Sequence, residues 1–129
     1  MKKNTIIYWT TTGIIAALML WSAYNFAFSE VQKGAFTHLG LPNWFRLELT
    51  AAKLLGVLAL LAPATPALAR EFAYFGFGLT LVSADIAHLS VGDPAWLVIP
   101  HWTFFGILVV SYVYQRKLAS ARALPQAQR

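Results

Sequence analysis

The sequence predicts an all-α membrane fold: a polytopic four-helix bundle, with a short interfacial helix between the first two spans. Composition is the first ground, since 58% of the 129 residues are hydrophobic and only 12% are charged, far from an ordinary soluble domain. The second is the presence of apolar runs at about residues 6–28, 44–62, 70–90 and 96–114, each close to the roughly 20 residues a helix needs to cross a bilayer. The third is the punctuation between them: Gly40 with Pro42, Pro63-Ala64-Thr65-Pro66, and Gly92-Asp93-Pro94, all of it turn chemistry. Residues 1–117 therefore read as a single four-span domain and 118–129 as a short basic cytoplasmic tail. Any function sits within the bilayer or at its edge.

Charge and cysteine content narrow the classes. A net charge of +5 would suggest nucleic acid in a soluble protein, but Lys2, Lys3, Arg70, Arg116, Lys117, Arg122 and Arg129 fall where span orientation alone places basic residues. Nucleic acid is not expected as a partner. With Lys33 in the opposite loop, the positive-inside rule puts both termini in the cytoplasm of a multi-pass cell-membrane protein. Cysteine is absent, which excludes disulfides, thiol redox chemistry, cysteine-ligated iron–sulfur clusters and covalently attached haem. Redox chemistry would have to belong to a bound cofactor.

Each element has its own justification. Lys2 and Lys3 precede the first apolar run. A cleaved signal peptide ending near Ala27-Phe28-Ser29 is the rival reading, but the run exceeds the 7–15 residues of a signal core, so the span is expected to be retained. Ser29 and Gln32 have capping-box spacing and Gly40 supplies a stop, which predicts a short helix over Ser29 to His38, either a lid or a plain spacer. In the second span Arg46 and Lys53 are seven apart and share a face, with Glu48 nearly opposite. Arg46 is close enough to the interface to snorkel. Lys53, about 13 Å by helical rise from either end, needs an internal partner. In the third span Ala73, Gly76 and Gly78 form a small-residue strip suited to close helix approach. Pro100 bends the fourth span or marks its start.

Counting inward from the outer ends of the spans at about 1.5 Å per residue puts His88 about 5 Å deep, Glu48 about 6 Å, His101 about 8 Å, Asp85 about 9 Å and Lys53 about 13 Å. Three helices thus bring ionisable groups to one layer. A charge near the centre of a span costs roughly 2.5–3.5 kcal/mol on insertion scales, so pairing or water must offset it. Asp85 and His88, three apart, lie on one helical face. In one reading Asp85 pairs with Lys53, His88 is satisfied by a backbone carbonyl or Glu48, and the layer fixes helix register. In the other, Asp85 holds the imidazole of His88 and tunes its proton affinity. Candidate acid–base residues are Asp85, His88, Lys53 and Glu48. Candidate ligand-holding residues are His101, Trp102 and Arg46, and no metal site is expected. His38 reads as a surface residue and Asp93 as a turn residue.

The series Leu39-Gly40-Leu41-Pro42, Lys53-Leu54-Leu55-Gly56 with Pro63, Glu71-Phe72-Ala73-Tyr74-Phe75-Gly76-Phe77, Ala84, His88-Leu89, Gly92-Asp93 and Ser111-Tyr112 resembles the DoxX-like family of small four-helix membrane proteins, over about residues 5 to 117. The resemblance implies an integral membrane domain associated with quinone-linked or thiol-linked redox systems. Lys53, Glu71, His88 and Asp93 occupy the family's polar motif positions. Phe72 stands where the family commonly has tryptophan, and Asp85 where a small or apolar residue is expected. An Asp85–His88 pair would thus be particular to this chain.

Function classes stay open at this point. The leading one is a membrane component of a redox system that takes an isoprenoid quinone between its helices, with His88, His101, Lys53 and Trp102 around the head group. The others are a stand-alone membrane enzyme, an isomerase or hydrolase using Asp85 and His88 as acid and base; a proton or small-solute pathway; and a structural, partner-binding subunit. Partners to expect are the lipid bilayer, a quinone or other apolar ligand, redox partner proteins and a second copy of the chain. A b-type haem between His88 and His101 is disfavoured, because histidines on different helices are common without haem.

Overall fold

The computed structural model describes residues 2–127, which are helical apart from short connections. Among these residues five α-helices run in the order α1 (Lys2–Phe28), α2 (Glu30–His38), α3 (Asn43–Leu61), α4 (Ala67–Ser90) and α5 (Ile99–Ala127), with a 3-10 turn at Ala95–Val98 before the last. No strand occurs among the described residues. α1 packs against α3 and α5, and α4 packs against the same two, while the short α2 rests on α1 and α3.

Three segments, Lys2–Phe28, Ala67–Ser90 and Ala95–Leu124, are long and apolar enough to cross a membrane. The expected second span corresponds to α3, which is not one of them. Its 19 residues carry Arg46, Glu48 and Lys53, and three ionisable groups in so short a helix offset its leucines. Two other boundaries differ from the sequence expectation. α4 starts at Ala67, with Pro66 as N-cap, one turn before Arg70. The tail beyond Tyr114 does not leave the helix: α5 continues through Ala127. Pro100 sits at the second position of α5, where its missing N–H costs nothing and its fixed φ suits a helix start.

Helix periodicity selects what is buried. Tyr8, Thr12, Ile15, Ala16, Met19 and Ala23 form one stripe of α1; Arg46, Lys53, Val57 and Leu60 that of α3; Tyr74, Phe77, Leu81 and Asp85 that of α4. Their spacings of three, four and, from Arg46 to Lys53, seven residues are those of a single helical face. The apolar middle of these stripes, Ile15, Met19, Val57, Leu60, Phe77, Leu81 and Leu108, makes one core. The tightest of the glycine positions is Gly56, where an added Cβ would run into the Phe77 ring. The expected strip on α4 is looser, since a Cβ on Gly78 would meet Phe105 at 3.4 Å and one on Gly76 would meet nothing within 4 Å.

Towards the chain-terminal end the core turns polar but neutral. Ser111 Oγ lies 2.7 Å from Thr12 Oγ1 and 2.8 Å from the Tyr74 hydroxyl, so three helices share one hydroxyl cluster. Beyond it Arg116 donates to Glu71 at 3.2 Å, and Arg70 donates to the Ala62 carbonyl at the end of α3. The charged residues of the other end form a different arrangement.

Candidate functional site

That other end gathers the C-terminal halves of α1 and α4 and the N-terminal halves of α3 and α5. Trp21, Tyr24, Trp44, Trp96 and Trp102 are exposed around it, a ring of the kind that settles at a membrane–water interface. Within the ring lie Lys53, Arg46, Asp85 and all three histidines.

Asp85 is buried on α4, and its Oδ1 accepts a hydrogen bond from His101 Nδ1 on α5 at 2.5 Å. His88, one turn further along α4, donates from Nδ1 to Asp93 Oδ2 at 2.7 Å. The other oxygen of Asp93 accepts from His38 Nε2, at the end of α2, at 2.8 Å. The His88 and His101 rings lie 6.0 Å apart, centre to centre. Five titratable groups thus follow one another in the order Asp85, His101, His88, Asp93 and His38. Their side chains run from 10% exposed at Asp85 to 57% exposed at His38.

Local backbone chemistry explains why Asp93 meets His88. α4 ends in a Schellman motif: Gly92 has φ +83°, its N–H bonds to the Leu89 carbonyl at 3.2 Å, and the Asp93 N–H bonds to the His88 carbonyl at 3.0 Å. This motif folds the residue after the glycine back over the last turn of the helix, where an apolar contact is usual. Here the contact is an imidazole and a carboxylate. α2 ends the same way, with Gly40 at φ +75° and the Leu41 N–H on the Phe36 carbonyl at 2.9 Å. Two glycine-terminated helix ends are therefore joined through one aspartate. Both histidine bonds, that of His88 first, hold the Asp93 carboxyl below its ordinary value.

Lys53 and Arg46 converge on Phe26 of α1. Lys53 Nζ donates to Ser22 Oγ at 2.5 Å and stands 3.3 Å from the centre of the Phe26 ring. Arg46 Nη1 donates to the Phe26 carbonyl, and its Nη2 to Asn43 Oδ1 at 2.5 Å. That carbonyl belongs to the last turn of α1, where no intrahelical N–H remains for it and a cation is favoured. The Phe26 ring also meets Phe36 of α2 edge-on at 4.9 Å. Both cations are buried, and among the described residues neither has a carboxylate within 4 Å.

The structure therefore rearranges the expected pairings. Asp85 meets neither His88 nor Lys53: sharing a helical face makes residues neighbours but does not aim their side chains at each other, and α5 supplies a nearer donor. Glu48 is exposed on the opposite face of α3, apart from the layer. Trp102 is exposed, with its ring 5.7 Å from that of Phe105. His38 and Asp93, read from sequence as a surface residue and a turn residue, join the layer through their mutual bond and that of His88, while Ser22 and Phe26 were not singled out; a histidine five residues before the aspartate of a Gly-Asp turn was a readable signal. Among the described residues no group of His, Asp and Glu has metal-binding geometry.

The sequence pattern of the DoxX-like family matches residues 10–111, a stretch that includes every residue of this layer. No curated protein and no solved structure matches the chain.

Proposed function

We propose, for a chain that belongs to the DoxX-like family, a four-span integral membrane protein that serves a quinone-linked redox system by exchanging protons with the head group of an apolar dicarbonyl ligand. The observation that carries this reading is the succession of titratable side chains from buried Asp85 to exposed His38, joined by hydrogen bonds except at the step between the His101 and His88 rings, which lie 6.0 Å apart. It has the form of a route for protons between the interior of a bundle and water.

The fourth span in this reading is α3. Its buried stripe takes in Arg46 and Lys53, while Leu47, Leu54, Leu55, Leu58 and Leu61 face outward, so the surface it offers to lipid is apolar. Both termini then lie on one side, which the basic residues assign to the cytoplasm. The short α2 covers the opposite, outer end.

Histidine geometry sets the chemistry. Each of His88 and His101 commits Nδ1–H to a carboxylate, and neither Nε2 has a protein partner among the described residues. An imidazole fixed in that tautomer presents an Nε2 lone pair when neutral and an Nε2–H when protonated. The neutral ring accepts a proton from a ligand hydroxyl, and the imidazolium donates to a ligand carbonyl. Asp85 and Asp93 stabilise the charged rings in either direction, and His38 relays to water. Alongside, α4 and α5 enclose an apolar groove of about 460 Å³ lined by Phe75, Gly78, Val82, Phe105 and Val109. Val82 and Phe105 lie one helical turn from Asp85 and His101, so an isoprenoid tail in the groove would lead to the histidines.

Extraction of lipid-soluble molecules from the purified protein tests the reading. A quinone retained by the wild type and lost from His88→Ala with His101→Ala supports it; no quinone in either counts against it.

A further inference from the structure

We propose that Arg46 and Lys53 form a binding site for the oxyanion of an acidic membrane amphiphile, the phosphate or carboxylate of a lipid head group. The site is separate from the histidine chain and does not depend on the quinone reading.

The electrostatic imbalance is the first ground. Arg46 is 4% exposed and Lys53 5%, and both are held against one residue, Phe26, one through its carbonyl and the other through its ring. Their other partners, Asn43 Oδ1 and Ser22 Oγ, are neutral. Asp85 and Asp93 are taken by histidines, and Glu48 is exposed on the far face of α3. Two buried cations held on one residue, with only dipoles and an aromatic ring around them, are costly, and an oxyanion that reaches both removes most of that cost.

Donor capacity is the second ground. A guanidinium has five N–H groups and an ammonium three. Arg46 commits Nε, one N–H of Nη1 and one of Nη2, and Lys53 commits one N–H to Ser22. At least two N–H groups of Arg46 and one of Lys53 stay free for an oxyanion.

Position identifies the source. Trp21, Tyr24 and Trp44, all exposed, surround this corner and set it at head-group depth, where the phosphates and carboxylates of lipids are concentrated. α2 closes the corner from outside through the Phe36–Phe26 contact, so the head group enters from the lipid side, beneath that helix.

The test uses the full-length protein in nanodiscs of neutral phosphatidylcholine, with and without phosphatidylglycerol, and separately with inorganic phosphate. Phosphatidylglycerol should raise the wild-type melting midpoint by about 5 °C or more, and Arg46→Gln or Lys53→Met should remove at least half of that shift. In phosphatidylcholine alone, Lys53→Met should melt at or above the wild type, because it deletes an uncompensated buried charge. Should Lys53→Met fail to fold, native mass spectrometry of lipid retained by Arg46→Gln against wild type carries the test, with loss of bound phosphatidylglycerol expected. An equal shift in wild type and variants, or none in either, overturns the site. A shift reproduced in full by inorganic phosphate, and lost in the same variants, keeps the oxyanion but overturns its lipid source.

Discussion

His101 on α5 donates its Nδ1–H to Asp85 on α4 at 2.5 Å, across 16 residues of sequence. This bond joins the two helices at the buried end of the titratable chain, so its loss should be felt in stability and in function.

Asp85→Asn and His101→Ala are each expected to lower stability in detergent, and a double-mutant cycle should give a coupling of about 1.5–3 kcal/mol, the range for a hydrogen bond to a charged group. The same cycle on Asp85 and Lys53 should give nearly none, since Lys53 is turned towards Ser22 and Phe26 of α1 and away from Asp85. A large Asp85–Lys53 coupling would show that the two side chains pair after all.

The Asp93 clamp carries a pH signature. Because the carboxyl is held below its ordinary value by His88 and then His38, the folded state binds the proton less readily than the unfolded chain. Its contribution is therefore present above the ordinary carboxylate range and is lost as pH falls through the lowered folded value. Melting between pH 5 and pH 2 should decline more steeply in the wild type than in Asp93→Asn. Parallel curves would mean that the carboxylate is not held by the histidines.

Two substitutions probe the packing away from the site. Gly56→Ala places a methyl against the buried Phe77 ring and should cost about 1–3 kcal/mol by overpacking. Ser111→Ala leaves the Thr12 and Tyr74 hydroxyls without their shared partner, at a cost of about 1–3 kcal/mol. Thermal or denaturant unfolding of each variant measures both effects. A neutral Gly56→Ala would mean that α3 and α4 stand further apart.

Topology is open to direct measurement. Reporters fused after Arg129 and inserted between Ser29 and Pro42 should lie on opposite sides of the membrane, as four spans require. Location on the same side would remove α3 as a span.

Helix positions were legible because they rest on signals local to the chain. Pro66, Gly92 and the Ser29 cap mark boundaries on their own, and Ser29 Oγ does accept from the Gln32 N–H at 3.4 Å. The reciprocal half of that cap is not needed, since the Ser29 N–H already bonds to the Asn25 carbonyl at 2.8 Å as α1 runs into α2. Depth counting likewise placed Asp85, His88, His101 and Lys53 at one end. Pairings were not legible, because which carboxylate meets which imidazole depends on the rotation of α5 against α4 and on the backward fold of the Gly92 turn. Glu48 was read from sequence as facing nearly opposite Arg46 and Lys53, which its exposure matches; it was kept among the site candidates on depth alone, and depth does not say which way a side chain faces. The length of α5 beyond Tyr114 was hidden by its polarity, which marks the end of a span and says little about the end of a helix.

The histidine chain as a proton-exchanging ligand site is tested most directly by titrating a short-chain quinone into the full-length protein in neutral nanodiscs, followed by quenching of tryptophan fluorescence, with Trp102 beside His101 as a reporter. Saturable quenching is expected in the wild type, with affinity at least tenfold weaker in His101→Ala and in His88→Ala, since each removes one Nε2 partner worth about 1.4 kcal/mol or more. Quenching that never saturates, or that is the same in the wild type and both variants, would contradict the site.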